Sequence, residues 1–451
     1  MKTNSDEMHN QEMLLKKIRQ SSEVFDKLAN SYEVWVPESG WLAGRRNRDK
    51  NDSKRKNLTD WSILSFLLEI DNCHYPMADS YLQYGIDGVI RIAAETLETL
   101  KNNLQSELQD QTQLDIAYLE SLLHVWKRFR QFVADHMVLA LECAKQETSD
   151  TKKKRYEKIA KICQNLTINK PNTFCEALQL FWFTYLFRSP FGAGCIGRLD
   201  QLLYPFYKHD CEMGIWDQQE AEKMLEEMFT RMNEINTGDT LRNLMLSGQD
   251  AKGNDQTNEI TYLILVAYEN TGGSEPHLNV RFHEKTPKKL RDNCINMLSS
   301  GSGQPTIYFD EAVLPAMEKA GICHEDACQY ANDGCTETVI AGKSAIVFWQ
   351  YEMVKTVELT LFGGNENPCV KPVSMKKNSI HGADFVPKTN LLIGIESKKP
   401  QELTTFSEFL SAFFEQMDHQ LDHYFLMIKQ KMQEDQTVSI TSPFTAGTFE
   451  K

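Results

Sequence analysis

Cys335 and Glu337 are the two residues whose types and spacing could do chemistry. They stand two places apart in the segment YANDGCTETVI, residues 330–340. In an extended segment, side chains at i and i+2 project to the same face, so the carboxylate would lie beside the sulfur. A lone cysteine in an apolar segment is more often a core residue. A carboxylate kept on the same buried face as a thiol, however, is costly without a purpose.

The pairing argues against two kinds of chemistry and leaves a third. A thiolate nucleophile needs a histidine or a cation nearby, which lowers the pKa of the thiol, whereas a neighbouring carboxylate raises that pKa. A metal site needs further soft or imidazole ligands at local spacing, which this segment lacks. What remains is a neutral thiol, Cys335, that exchanges hydrogen atoms while Glu337 moves a proton. This suits elimination, because a carbon radical beside a hydroxyl is far more acidic and a positioned base can complete the loss.

Composition narrows the class of protein. The 451 residues carry a net charge of −14, which argues against a nucleic-acid partner. The first residues lack the apolar stretch of a signal peptide. The sequence contains no run of 18 uninterrupted apolar residues, so no membrane-spanning helix is predicted. The eleven cysteines show no Cys-x-x-Cys spacing and their number is odd, which favours reduced thiols and a cytoplasmic protein.

Helices and strands are expected to follow one another along the chain. Residues 1–190 are predicted to be mostly helical, and residues 191–451 to form the strand-bearing part with the cysteine loop. Strands alternating with helices predict an α/β fold with a mostly parallel sheet or barrel. The predicted helices are 11–32, 85–105, 114–146, 171–188, 217–235, 257–270, 286–300 and 406–434, and the predicted strands are 243–248, 277–283, 303–309 and 390–395.

The cysteine segment resembles the cysteine loop of the glycyl radical enzymes, the pyruvate formate-lyase-like family, whose eliminases and decarboxylases carry Gly-Cys-x-Glu. Further segments resemble family segments in family order, and the resemblance covers about residues 20–451. The quoted segments are HYPMADSYLQYGIDGVI, TFCEALQLFWF, GRLDQLLYPFYKHD, NLMLSGQDAKGNDQTNEITYLIL, PHLNVRFHEKTP and SSGSGQPTIYFDEAVLPAMEKAGI.

The resemblance implies a fold and a set of roles. The fold would be a ten-stranded β/α barrel, here incomplete, with the cysteine loop threading its lumen. Cys335 would carry the thiyl radical and Glu337 would be the general base. The chain would bind no cofactor or metal itself. Its glycyl radical would be installed by a radical S-adenosylmethionine activase, in a cytoplasmic, anaerobic homodimer that acts on a small organic substrate.

Two departures from the family pattern shape the expectation. Gly334 and Thr336 flank a single cysteine, whereas acyl transfer of the formate C-acetyltransferase type uses two adjacent cysteines, so a radical lyase, dehydratase or decarboxylase is favoured. The C-terminal glycyl radical motif is missing from this sequence. We therefore expect a fragment, an enzyme completed by a separate glycyl-domain chain, or an inactive relative that binds a partner or ligand through a retained barrel. A thiolate hydrolase is a further, weaker alternative.

Four more residues are candidate substrate contacts: His74, Arg281, His283 and Phe348. The resemblance suggests His74, for which a surface or core histidine is an equal alternative. Arg281 and His283 share one strand face, where they could hold an anionic group or belong to a polar layer. Phe348 could form part of an apolar wall or of the core. Separately, a structural ion pair is expected in the segment GRLDQ, between residues 198 and 200.

Overall fold

The structure is a computed structural model, and it describes residues 4–45, 80–102, 109–188, 194–234, 242–272, 275–334, 337–344, 353–365, 394–398, 400–434 and 444. Contacts divide the chain into two compact units, residues 1–345 with 440–451, and residues 346–439. The N-terminal helices and the parallel sheet therefore belong to one unit. The domain boundary expected near residue 190 stays a prediction.

The first unit contains eleven described helices and six strands. The helices are α1 Asn4–Ser31, α2 Ser80–Asn102, α3 Gln109–Gln146, α4 Asp150–Ile168, α5 Phe174–Arg188, α6 Leu199–Met213, α7 Gln218–Asn233, α8 Glu259–Thr271, α9 Lys288–Ser299, α10 Asp310–Lys319 and α11 His324–Ala327. The strands are β1 Gly194–Gly197, β2 Arg242–Ser247, β3 His277–Phe282, β4 Thr306–Phe309, β5 Ala331–Asp333 and β6 Glu337–Val339.

Strands β1 to β4 form a parallel sheet in sequence order. Each connection between them contains helix, as parallel strands require. Capping boxes at Asp217 and Asn258 fix the starts of α7 and α8, because each side chain and the third helical residue satisfy one another's backbone N–H. The alternation of helix and strand expected from the sequence is confirmed, whereas closure into ten strands stays a prediction.

Helix α5 is the centre of the N-terminal helical part. It is buried on nearly all sides, which explains its almost continuous apolar sequence. Phe187 of α5 meets Phe25, Phe129, Phe132 and Phe444 at ring-centroid distances of 4.9–5.6 Å. Among the described helices, none has the length and apolar character needed to cross a membrane.

The two faces of the parallel sheet differ in chemistry because successive side chains of a strand point to opposite sides. On the back face, Leu244 and Leu246 of β2 pair with Leu278 and Val280 of β3, and all four belong to the hydrophobic core. The intervening residues form the front face. They include Cys195, Asn243, Asn279 and Arg281, which are buried without belonging to that core.

The second unit is described over three stretches. They hold helix α12 Met353–Leu361, a 3₁₀ turn at Pro400–Glu402 and helix α13 Phe406–Glu434. The buried Gln416 of α13 donates from Nε2 to the Ile395 carbonyl at 2.6 Å, and its Oε1 accepts from the Ile395 N–H at 3.1 Å. This amide pairing fixes the extended segment 394–398 against α13.

All eight predicted helices are present with ends within seven residues of those expected, the largest difference being the start of α1, and α13 matches its predicted range. Strands β2 and β3 were also predicted, while β4 begins at Thr306, later than expected. The described part of 390–395 is not a strand. The sequence reading missed β1, whose glycines gave no strand signal, and α4, α6, α10, α11 and α12.

Candidate active site

The cysteine segment forms a hairpin on the front face of the sheet. Strands β5 and β6 are antiparallel, with Asp333 opposite Glu337 and Ala331 opposite Val339. The turn between the two strands begins at Gly334. Gly334 has φ of 52°, in the left-handed region that favours glycine. The Asp-Gly pair thus reverses the chain at the position of the cysteine.

Gly334 also gives the Glu337 carboxylate room. A Cβ atom at Gly334 would lie 2.7 Å from Glu337 Oε2, closer than real Cβ atoms come. The carboxylate therefore packs against the backbone next to Cys335. Cys335 itself lies outside the described residues. Glu337 is exposed, which differs from the buried face expected from the sequence, and the carboxylate is open to solvent.

Asn243 and the Cys195 thiol, both on the sheet, bond to the hairpin, and Asn279 bonds to Asn243. Asn243 donates from Nδ2 to the Gly334 carbonyl at 2.6 Å, and its Oδ1 accepts from Asn332 Nδ2 at 3.0 Å and from Asn279 Nδ2 at 3.2 Å. The Cys195 thiol donates to the Asn332 carbonyl at 3.0 Å. Burial, with a smaller effect of Asp333, raises the pKa of Cys195 well above its usual range, so the sulfur keeps the proton it donates.

Arg281 anchors the chain that leads into the hairpin. Its Nη1 donates to the carbonyls of Cys328 and Tyr330 at 2.9 and 3.2 Å. Its Nε and Nη2 form a bidentate pair with Asp310, both at 2.9 Å. The Tyr330 hydroxyl donates to Asp310 at 3.0 Å, and burial raises the pKa of Tyr330 well above its usual range, so the phenol stays a donor.

These contacts give the hairpin a direction. Arg281 is near the carboxyl end of β3, whereas Asn243 is near the amino end of β2. The chain therefore enters at the carboxyl end of the parallel sheet and crosses its front face towards the amino end. The guanidinium of Arg281 is fully buried and bonded to protein groups, which favours the polar-layer alternative for this residue.

The ion pair predicted between Arg198 and Asp200 is wrong: the two described side chains form no direct contact, although both are buried. Instead they hold the two ends of Ser247. Arg198 donates to its carbonyl at 2.9 Å, and Asp200 accepts from its N–H at 2.8 Å. Ser247 has φ of 62°, and this clamp keeps it in the left-handed region at the end of β2.

The remaining candidates are only partly placed. His74 and Phe348 lie outside the described residues. His283 is buried and pairs with Asp255, Nε2 to Oδ1, at 2.9 Å. Its predicted substrate contact stays a prediction. Within the described ranges, no group of three or more metal-binding side chains comes together.

Asn243, Asn332, Asp310 and Tyr330 hold the hairpin and Asn279 bonds to Asn243, and none of these five was predicted from the sequence. A weak signal exists. Asn243 and Asn279 are polar residues inside otherwise apolar strands, where a buried amide requires a partner. Which partner each would meet depends on strand register, and the sequence does not show register across separate strands.

Comparisons with known proteins show what this chain is similar to. A family model described as pyruvate formate lyase-like matches residues 72–437. The chain is 31% identical over 301 residues to trans-4-hydroxy-L-proline dehydratase of Clostridioides difficile, covering 63% of this chain and 36% of that protein. It is 28% identical over 333 residues to isethionate sulfite-lyase of Oleidesulfovibrio alaskensis, covering 68% and 37%.

The fold is also that of a solved relative. The glycerol-bound B12-independent glycerol dehydratase of Clostridium butyricum superposes with a TM-score of 0.74 at 20% identity, covering 97% of this chain and 61% of that one. The matched part of the chain thus spans little more than a third of the length of its sequence relatives. The chain belongs to the pyruvate formate lyase-like family of glycyl radical enzymes.

Proposed function

We propose that this chain forms the substrate-transforming part of a radical lyase, dehydratase or decarboxylase, with Cys335 as the hydrogen-atom carrier and Glu337 as the general base. The observation that supports it most is the packing of the Glu337 carboxylate against Gly334, the residue that precedes the cysteine. A carboxylate packed beside the residue that precedes the thiol supports elimination chemistry, which needs a positioned base.

The proposed reaction is balanced without a metal or an added oxidant. A thiyl radical at Cys335 takes a hydrogen atom from a substrate carbon that bears a hydroxyl, which leaves a neutral thiol and a carbon radical. Glu337 removes the hydroxyl proton, and the resulting radical anion expels the neighbouring leaving group. When that group is hydroxide, it takes the proton from Glu337 and leaves as water. The product radical then recovers the hydrogen atom from Cys335.

The thiyl radical would be formed by a glycyl radical on a segment of the same or another polypeptide, after installation by a radical S-adenosylmethionine activase. The part of the chain described here supplies the hairpin and the polar face that carries it. Cytoplasmic, anaerobic work and a homodimer are further proposals from the family. The aligned relatives act on trans-4-hydroxy-L-proline and isethionate, so we propose a small, hydroxylated or sulfonated organic substrate.

The test combines the protein with an activase and a glycyl-bearing segment under strict anoxia. Formation of the radical is followed as an electron paramagnetic resonance doublet, and turnover is followed with a panel of small hydroxylated substrates. Cys335→Ser is expected to keep the doublet and lose turnover. Glu337→Gln should keep the doublet and lower turnover at least about 100-fold, the usual contribution of a general base.

Two outcomes would reject the proposal. Turnover retained by Cys335→Ser would remove the hydrogen-atom role of the sulfur. Turnover retained by Glu337→Gln would remove the role of the base. A non-catalytic protein that binds a ligand or partner is the second candidate, and the exposure of Glu337 favours it. That candidate predicts no turnover of any panel substrate when the doublet is present.

A further inference from the structure

We propose that Asn243 is a positioning residue that fixes the peptide unit leading into Cys335. Asn243 lies on β2, which is hydrogen-bonded to β1 on one side and to β3 on the other. Its side chain is 1% exposed. It therefore projects from a rigid part of the sheet, and its amide has little freedom to move.

The hydrogen bonds of Asn243 determine which way its amide faces. Oδ1 accepts from Asn332 and Asn279, so both of its acceptor positions are used. Asn279 is held in turn, because it also donates to the His277 carbonyl at 3.1 Å. A flipped Asn243 amide would place N–H groups against two N–H donors. The Nδ2 group must consequently face the Gly334 carbonyl, which it meets at 2.6 Å.

The position of that carbonyl has a direct consequence for the cysteine. A peptide unit is planar, so the Gly334 carbonyl belongs to the same rigid plane as the Cα of the next residue. Gly334 has a left-handed φ, and glycine has no Cβ atom that would confine its backbone torsions. These torsions therefore do not by themselves fix the orientation of the peptide plane. A hydrogen bond from a side chain on a central strand supplies the missing restraint.

The same peptide unit is adjacent to the proposed base. The Glu337 carboxylate packs against the Cα of Gly334, and Asn243 bonds to the carbonyl of that residue. Asn243 thereby sets the backbone against which both proposed reacting groups are placed. Asn279 bonds to Asn243 and makes no described hydrogen bond to the hairpin, which provides a matched control.

The experiment measures how fast Cys335 reacts with a dithiodipyridine reagent in the folded full chain, with each modified cysteine identified by peptide mass spectrometry. Asn243→Ala is expected to raise the Cys335 rate at least about tenfold, because it removes two hydrogen bonds to the hairpin and the loss of one alone shifts a local opening equilibrium by about that factor. Asn279→Ala should leave the rate within about twofold. The buried Cys195 and Cys328 report on the rest of the front face.

Asn243→Asp separates positioning from a merely structural role. As a carboxylate it has no donor for Gly334, but as a neutral acid it recovers one O–H donor. Burial at this position raises the pKa of the introduced carboxyl above its ordinary value. The Cys335 labelling rate of this variant should therefore fall again as the pH falls from about 8 to about 5, after normalisation to an unfolded peptide. Asn243→Ala should show no such recovery. This variant also serves if Asn243→Ala does not fold.

Three outcomes would overturn the proposal: an unchanged Cys335 rate in both variants, equal acceleration of Cys195 and Cys328, or an Asn243→Asp profile that matches that of Asn243→Ala. The inference rests on the proposed function only through the role of Cys335. Because the labelling needs neither radical nor substrate, it can fail while turnover and its dependence on Cys335 stand. Equally, turnover can fail while the labelling result stands.

Discussion

The back and front faces of the parallel sheet are built from alternate residues of the same strands, yet they are held by different forces. Leu244 and Leu246 contribute to an apolar core that can tolerate other side chains of similar volume. Asn243, which alternates with them on β2, and Arg281, on the neighbouring strand β3, are joined to the hairpin and to the chain that leads into it by hydrogen bonds of 2.6–3.2 Å. The stabilisation from apolar burial on the back face does not depend on direction, whereas each hydrogen bond on the front face requires a particular orientation of its donor and acceptor.

The difference explains where a reactive segment can be placed. A hairpin laid on the apolar face would need to bury its backbone polar groups without partners, which is costly. On the front face, the carbonyls of Cys328, Tyr330, Asn332 and Gly334 each accept a bond from a buried side chain. The polar face thus holds the cysteine segment by its backbone, which leaves its side chains available.

The largest expected effect is on the front face, at Arg281. Arg281→Met would leave Asp310 buried without its guanidinium partner, so the free energy of unfolding should fall by about 3–5 kcal/mol. Urea unfolding of the two proteins measures the loss. The double variant Arg281→Met/Asp310→Leu should be at least about 1 kcal/mol more stable than Arg281→Met alone. If Arg281→Met lowers the free energy of unfolding by less than about 1 kcal/mol, the two charges do not form a stabilising buried pair.

The back face should respond to volume instead of hydrogen bonding. Leu246→Ala removes fully buried methyl groups, and we expect a loss of about 3 kcal/mol in the free energy of unfolding. Leu246→Met keeps the volume and should cost less than about 1.5 kcal/mol. Differential scanning calorimetry of both variants gives the comparison. Equal losses in the two variants would show that the back face is as specific as the front.

His136 of helix α3 is a buried polar residue among apolar side chains. Its ring packs against Phe132 and Phe183, and among the described residues Nε2 has no hydrogen-bond partner. Burial lowers the pKa of His136 to about 4. The unfolded state therefore binds a proton at higher pH than the folded state, and stability is lost as the pH falls from about 6.5 towards about 4.

This pH dependence can be measured directly. Between about pH 7 and about pH 5 the expected contribution of His136 is about 2 kcal/mol. His136→Phe should remove that part of the dependence in urea unfolding at the two pH values. His124, which is half exposed and pairs with Asp26, provides a control through His124→Gln. If His136→Phe and the unchanged protein lose the same stability, burial of a neutral His136 is the wrong explanation.

The smallest effect concerns the turn itself. Gly334→Ala introduces a Cβ atom at a left-handed φ, which costs about 1–2 kcal/mol in the free energy of unfolding. The new Cβ atom would also clash with the Glu337 carboxylate. Gly214→Ala is the matched control, since Gly214 has φ of 63° with nothing within 4 Å of the added atom. Melting temperatures should show a larger loss at Gly334. Removing the carboxylate with Glu337→Ala should abolish the difference between them.

Much of the fold could be predicted because it is encoded locally. The helical spacing of 406–434 alone gave the bounds of α13, and the apolar segments 243–248 and 277–283 gave β2 and β3. The charged helix α4 and the glycine-rich β1 were missed, because their stability depends on packing and sheet pairing more than on local pattern.

For the candidate site, the sequence by itself determined the chemistry-bearing pair Cys335 and Glu337 and the glycine that reverses the chain between its strands. It also determined the family. Only the tertiary structure decided that Asn243, Arg281 and Asp310 hold the hairpin, because hydrogen-bond partners 29 to 91 residues apart are brought together by strand register. Tertiary structure also replaced the expected ion pair of Arg198 and Asp200, since each of these buried charges bonds to a backbone group of Ser247, the carbonyl and the N–H respectively.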